Sequence, residues 1–349
     1  MSETILVTGA TGLAGANICK HLIERGDRVR ALARPAADTE PLDSLGVEVL
    51  PGDISSADDV RRAAAGGDAA IHCAALLGGA SQNLSDFEAV NVQGTKHVLD
   101  AAEAVGMRRV VAVSTGTFFD TTGGLDREDA PVMKEPSADP YTITKMAAFQ
   151  DAMTRAAKGQ DVVTTHPGAI FGPSPVASNA LGRTSFNRVL LSALRGRITR
   201  YLTFPVSWVF SEDIAEGCVL ALDRGVAGER YMLDGQPEDV VSTADACNRI
   251  CAMSGADHRV EDVAPTDDPD LLDVFGPTLV AIAFKLASVQ PERRDMKDSK
   301  TYRRLGCNPI SLDEGLRRTA SWLVDIDRVD ITDAILTGPL TQPRVRDRR

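Results

Sequence analysis

The stretch that decides the fold is Thr8–Gly15, "TGATGLAG". It follows the apolar run "TILV" and opens the helical pattern "LAGANICKHLIERG". Gly9, Gly12 and Gly15 are spaced G-x-x-G-x-x-G. Glycines at such spacing suit a tight turn, close approach of backbone to a phosphate, and close packing of helix on strand. A helix start also offers free N–H groups and a partial positive charge to a pyrophosphate. The same residues would serve a βα turn that holds no ligand. Their place at the first βα junction of the chain favours a dinucleotide.

Outward from that turn, short apolar runs alternate with helical patterns. The runs are "TILVTG", "RVRALAR", "VEVLPGD", "AAIHCAA", "RVVAVST" and "DVVTTHPG". Helical patterns such as "ADDVRRAAAGG", "NVQGTKHVLDAAEAVG" and "YTITKMAAFQDAMTRAAKG" lie between them. Alternation of this kind predicts an α/β fold, a doubly wound parallel sheet with helices on both faces. Beyond about Gly172 the alternation breaks down, and Pro and Gly recur in "FGPSPVASNALG". The expected organisation is a dinucleotide-binding Rossmann domain over 1–172, to which 206–234 return. A smaller, mixed substrate-binding region takes most of 173–324, and 325–349 form a C-terminal tail.

The 349 residues are 43% hydrophobic and 25% charged, with a net charge of -11. That excludes little about the core but argues against nucleic acid or an anionic membrane as partner, since both favour basic faces. The basic end "RVRDRR" reads as a solvated tail. Six cysteines stand at 19, 73, 218, 247, 251 and 307, with no C-x-x-C pair and no ligand cluster around them. They read as reduced thiols of a cytoplasmic protein, and no metal is expected. "MSETILVTGATG" runs straight into a strand with no signal-peptide pattern. The apolar run "TLVAIAFKLA" is too short to span a bilayer and carries Lys285.

The end of the second strand selects the dinucleotide. An acid there would hold both ribose hydroxyls of NAD(H). Here Ala33 is followed by Arg34, so no acid repels a 2′-phosphate and a guanidinium can pair with one. NADP(H) is therefore expected over NAD(H). Asp53, followed by Ile54, stands after the third strand. It suits either the adenine amino group or a turn before the next helix.

The fifth strand ends in Ser114 and Thr115, where ligands of a doubly wound sheet sit. Tyr141 opens a later helix, and Lys145 is one turn on, on the same face. A free phenol has a pKa near 10 and is a poor acid–base group at neutral pH. A neighbouring ammonium lowers that value. A hydroxyl from Thr115 would hydrogen-bond the substrate oxygen where negative charge develops. Together the three groups suffice for hydride transfer at a C–OH/C=O centre.

With these residues in view, the sequence resembles the extended short-chain dehydrogenase/reductase family, the NAD-dependent epimerase/dehydratase superfamily. The likeness spans about residues 3 to 324 and rests on "TGATGLAG", "IHCAA", "NVQGT", "VVAVST", "YTITK", "HPGAIFGP", "SEDIAEG", "GERYMLDG" and "LGCNPISLDEGLRRTASWL", in the family's order. It implies that Thr115 is the catalytic hydroxyl, with Ser114 as the alternative, Tyr141 the general acid/base and Lys145 its partner. It implies cofactor contacts from Gly9, Thr11, Gly12, Leu13 and Gly15, from Arg34, Asp53 and Ile54, and from Ala74, Ala75, Thr95 and Ser114. Pro167, Gly168, Ala169 and Ile170 would pass beside the nicotinamide, near Tyr141 and Lys145. Asn91 matches a structural position on the long helix. That helix and the one bearing Tyr141 commonly form a dimer contact in the family, so a homodimer is expected.

Three departures shape the substrate reading. The family's common Tyr-Gly after the strand is Phe119-Asp120, and its arginine before Pro-Gly is His166. Ala169 stands where nucleotide-sugar enzymes carry an asparagine, which weakens that class of substrate. "DRVRALARP" resembles the dihydroflavonol-reductase-like branch, which reduces ketones or aldehydes with NADPH. The expected function is an NADPH-dependent reductase of a ketone or aldehyde, reversible as an alcohol dehydrogenase. The alternatives are a nucleotide-sugar epimerase or dehydratase with tightly held NAD, and a non-enzymatic dinucleotide sensor. The arginines of "ALGRTSFNRVLLSALRGR" suit either an anionic substrate or a solvated helix face.

Overall fold

A computed structural model describes residues 2–81, 83–120, 128–135, 139–268, 272, 275, 277–286 and 296–327. The expected tail at 325–349 lies outside the described residues from 328 onward, as do parts of the substrate-binding region.

The apolar runs become strands β1 (Thr4–Thr8), β2 (Arg28–Ala33), β3 (Glu48–Pro51), β4 (Ala69–His72), β5 (Val110–Val113) and β6 (Val162–Pro167). All pair in parallel, in the order β3-β2-β1-β4-β5-β6. Helices α1 (Leu13–Arg25), α2 (Glu40–Ser44), α3 (Ala57–Ala64), α4 (Leu84–Phe87), α5 (Gly94–Val105) and α6 (Pro140–Ala157) connect them. Strands covered on both faces must be apolar throughout, and β1 and β4 are buried at every position. One face of the sheet packs under α1, with Ile5, Ile18, Leu22 and Ile71 in one core cluster. The other packs under α3 and α5, with Leu6, Val60, Val98 and Leu99 in another.

The helices are capped by their own sequence. Asp139 accepts from Thr142 N at 2.9 Å with Pro140 in the first turn, so α6 starts where the aspartate ends the loop. Ser56 does the same for α3. The helical pattern before α5 begins as a π-helical turn, Glu88–Gln93, that includes the buried Asn91. Such turns break the regular ladder and often mark functional regions.

After β6 the chain leaves the main sheet at Gly168. Strands β7 (Ala169–Phe171), β9 (Val206–Phe210) and β11 (Val240–Val241) form a three-stranded mixed sheet, and β8 (Arg200–Leu202) pairs with β12 (Glu261–Val263). Gly168 passes so close to the neighbouring strand that a Cβ on it would lie 2.3 Å from Ser207 O. Between these strands stand α7 (Ala177–Ala180), α8 (Phe186–Leu194), α9 (Ser211–Arg224) and α10 (Thr243–Met253). The mixed region has its own core, built on Phe171, Leu190, Trp208, Phe210, Ile250 and Leu316. The chain also returns to the large sheet: α9 packs on α1, and β10 (Arg230–Leu233) adds a seventh parallel strand beside β6.

Among the described residues no helix is long and apolar enough to cross a membrane. No group of three or more His, Cys, Asp or Glu among them is arranged to hold a metal. All six cysteines are free thiols.

Candidate active site

The glycine turn is shaped by what lies against it. Gly9 has φ 69, and a Cβ there would sit 2.6 Å from Ala74 N, at the end of β4. A Cβ on Gly15 would lie 2.2 Å from Gly9 O, so only glycine lets α1 pack this close to β1. Gly12 caps α1 in extended conformation, and Thr11, Gly12 and Leu13 are partly exposed at the helix start. A narrow turn of bare backbone at the start of a thirteen-residue helix fits a pyrophosphate. The mixed region reaches this turn as well. Asn179 Nδ2 donates to Thr11 O at 3.0 Å, Asn17 Nδ2 to Pro173 O at 2.9 Å, and Ser178 Oγ to Asp38 at 2.8 Å.

The other expected cofactor positions line the same strand ends. Arg34 is exposed just past β2. Asp53 lies past β3, where its Oδ1 accepts from both N and Oγ of Ser55, at 2.9 and 2.7 Å. Its carboxylate thus serves its own turn. Ile54 is nearly buried beside Gly94. Ala74 and Ala75 follow β4, with Ala74 N donating to Thr8 Oγ1. Pro167 to Ile170 span the crossing from the main sheet to the mixed one.

Tyr141, Lys145 and Thr115 meet at the ends of β5 and α6. Lys145 is buried, and its Nζ donates to Val113 O at 2.8 Å. Burial pulls its pKa down to about 8, against a small opposing pull from Cys73. Tyr141 is half-buried. Burial pushes its phenol up to about 12, a hydrogen bond with Thr115 draws it down, and Asp139 pushes it up. The Thr115 hydroxyl also accepts from Thr117 N at 3.4 Å. Ser114, one residue earlier, differs: its hydroxyl is buried with no hydrogen-bond partner among the described residues. It faces a small cavity shared with His72, Thr95, Lys145 and Thr164.

His72, which sequence reasoning left without a role, supports this centre together with Thr95 and Asn91. His72 lies 2.7 Å from Thr8 Oγ1 through Nδ1 and 2.9 Å from Thr95 Oγ1 through Nε2. Burial and the nearby Lys145 depress its pKa to about 3, so the ring is neutral. Thr95 in turn donates to Asn91 O. Asn91 accepts from Leu76 N at 2.8 Å and donates to Leu76 O and to Thr144 Oγ1, both at 3.1 Å, tying the loop after β4 to α6. A polar residue inside an otherwise apolar strand was the available signal for His72. His166 is a packed histidine: it is fully buried, bonds Thr115 O at 2.7 Å, and is ringed by Phe118, Phe119 and Phe149.

The family model of the NAD dependent epimerase/dehydratase family matches residues 5–234. Curated relatives include sterol demethylase protein B of Methylococcus capsulatus, 34% identical over 67% of this chain and 70% of that protein. A putative dihydroflavonol 4-reductase of Synechocystis sp. is 31% identical over 67% of this chain and 68% of its own length. Among solved structures, the Bordetella bronchiseptica enzyme WbmH in complex with NAD+ aligns with TM-score 0.71. It is 18% identical, over 93% of this chain and 99% of that one, which speaks to the fold alone. The chain belongs to the NAD dependent epimerase/dehydratase family. It is an NAD(P)-dependent oxidoreductase of the extended short-chain dehydrogenase/reductase type.

Proposed function

We propose that the protein is an NADPH-dependent reductase of a ketone or aldehyde, reversible as an alcohol dehydrogenase. The observation that carries this reading is a buried lysine one helical turn from Tyr141, its Nζ held by Val113 O two residues before Thr115. When bound, the nicotinamide supplies the hydride. Thr115 orients the carbonyl oxygen and donates to it as negative charge builds there. Tyr141 delivers the proton to that oxygen. A cation brought beside Tyr141 lowers a phenol pKa that burial and Asp139 have raised, so proton transfer belongs to the cofactor-loaded site. Lys145, fixed by Val113 O, keeps its charge beneath the site.

NADPH is preferred in this reading because Arg34 is exposed at the end of β2 with no acid following Ala33. The names of the relatives, with sterol and dihydroflavonol among them, recommend ring-bearing ketones as first candidates. Ala169 offers only a methyl group where a nucleotide-sugar enzyme has an amide. The six free thiols suit a cytoplasmic protein, and α5 with α6 suits a homodimer, to be checked by sedimentation at micromolar concentration.

The test is a panel of sterol ketones, dihydroflavonols and simple aldehydes, followed by absorbance with NADPH and with NADH. Tyr141→Phe is expected to bind NADPH normally and lose about 100-fold or more in kcat. Retained turnover in that variant would refute the assignment. Arg34→Ala should weaken NADPH binding by about tenfold or more and leave NADH unaffected. Copurified NAD(H) with no net cofactor consumption would point instead to an epimerase or dehydratase.

A further inference from the structure

Helix Pro277–Leu286 lies far from Thr115 and Tyr141 in sequence, yet one of its faces holds the carriers of both. Thr278 and Lys285 are seven residues apart, two helical turns, and so share that face. Thr278 Oγ1 donates to Asp139 Oδ1 at 2.9 Å, and the same oxygen accepts from Thr142 N as the cap of α6. Lys285 Nζ donates to Thr117 O at 3.0 Å and to Phe119 O at 2.7 Å.

The backbone of the loop after β5 explains why a lysine is needed. Phe118 and Phe119 are fully buried, so the carbonyls around them need partners inside the protein. Phe118 O accepts from Met133 N. Thr117 O and Phe119 O, on either side, accept from Lys285. The loop then closes on the reacting groups. Thr117 N donates to Thr115 Oγ1, and Thr142 Oγ1 donates to Thr117 Oγ1 at 3.1 Å. Thr142 directly follows Tyr141.

We infer that helix Pro277–Leu286 is a clamp for the reaction centre, with Lys285 as a positioning residue that sets Thr115 against Tyr141. The inference rests on the proposed roles of those two hydroxyls. Lys285 touches neither the carbonyl nor the cofactor in this scheme; it acts through the backbone of residues 117–119. A misplacement of about 1 Å at such a centre costs on the order of 100-fold in rate.

The experiment compares Lys285→Met, Lys285→Arg, Thr278→Val and Tyr141→Phe. In the enzyme without added cofactor, backbone amide exchange at residues 115–119 should speed up about tenfold or more in Lys285→Met, while exchange in β1 and β4 is unchanged. Lys285→Arg should restore most of the protection. With NADPH and a ketone turned over in the panel above, kcat should fall about 10- to 100-fold in Lys285→Met with the NADPH dissociation constant within about twofold. Thr278→Val should lower kcat less. Wild-type exchange at 115–119 in Lys285→Met overturns the inference, as does wild-type kcat in that variant while Tyr141→Phe is inactive. An active Tyr141→Phe variant refutes the functional reading itself. If Lys285→Met does not fold, Thr278→Val and Lys285→Arg carry the same comparison, and wild-type exchange and kcat in Thr278→Val overturn it.

Discussion

Ser114 and Thr115 stand side by side past the end of β5, and their hydroxyls meet different surroundings. Thr115 Oγ1 accepts from Thr117 N, whereas Ser114 Oγ is buried and without a partner among the described residues. A buried hydroxyl that makes no bond contributes no stability, and its removal is nearly neutral. Ser114→Ala should therefore keep kcat within about twofold and melt no lower than wild type, whereas Thr115→Ala should lose about 100-fold in kcat. Kinetics and thermal melts of the two variants check this, and the opposite ranking would move the role to Ser114. The sequence narrowed the hydroxyl to this pair and left the choice open. Successive residues of an extended chain point to opposite sides, so a register error of one exchanges them. Tyr141 and Lys145 were easier to read, because their spacing of four lies within one helix and depends on nothing distant.

Elements that depend on local sequence were legible; those held by distant partners were not. Strands β1 to β6 and the start of α6 follow from apolar runs and a capping aspartate. Helix Pro277–Leu286 was visible only as an apolar run broken by a lysine. The carbonyls that Lys285 serves lie 168 and 166 residues back along the chain, beyond any pattern of spacing. The π-helical turn around Asn91 was likewise hidden, since the Asn91 side chain within it bonds the distant Leu76 and Thr144. The crossing at Gly168 gives the prediction at this scale. A methyl group there would overlap Ser207 O, so Gly168→Ala must push β7 away from β9. The expected result is a loss of about 2 kcal/mol or more, read as a lower denaturation midpoint, with weaker cofactor binding beside it. An unchanged midpoint would mean that the crossing relaxes freely.

At the scale of the molecule, the mixed region is hydrogen-bonded to the glycine turn and its surroundings at the strand ends of the large sheet. Asp213 joins distant parts of the chain: it sits on α9, beneath the large sheet, and accepts from Ile310 N at 3.0 Å ahead of helix Leu312–Asp325. Burial lifts its pKa to about 7; the Ile310 bond and Arg318 oppose that, and Glu216 and Glu212 add to it. A carboxyl raised in the folded state adds stability that is full below its unfolded value near 3.9. That stability is lost as the pH rises through about 7. Asp213→Asn keeps the acceptor and removes the charge. Its melting temperature should exceed that of wild type by more at pH 8 than at pH 4.5, and an equal difference at both would exclude Asp213 as the source. The architecture at this scale was legible because strand–helix alternation admits few topologies. The shape of the substrate-binding region was not, because its short strands in two small sheets carry little periodicity.

The grip of Lys285 on the loop after β5 has an evolutionary side. Its oxygen partners on Thr117 and Phe119 belong to the main chain, so the contact does not depend on which side chains those positions carry. A substitution at either position that keeps the path of the main chain leaves both oxygens in place for Lys285. A descendant gene could acquire a new substrate by ordinary point mutation and inherit the alignment of its hydroxyls intact, as long as the lysine is kept.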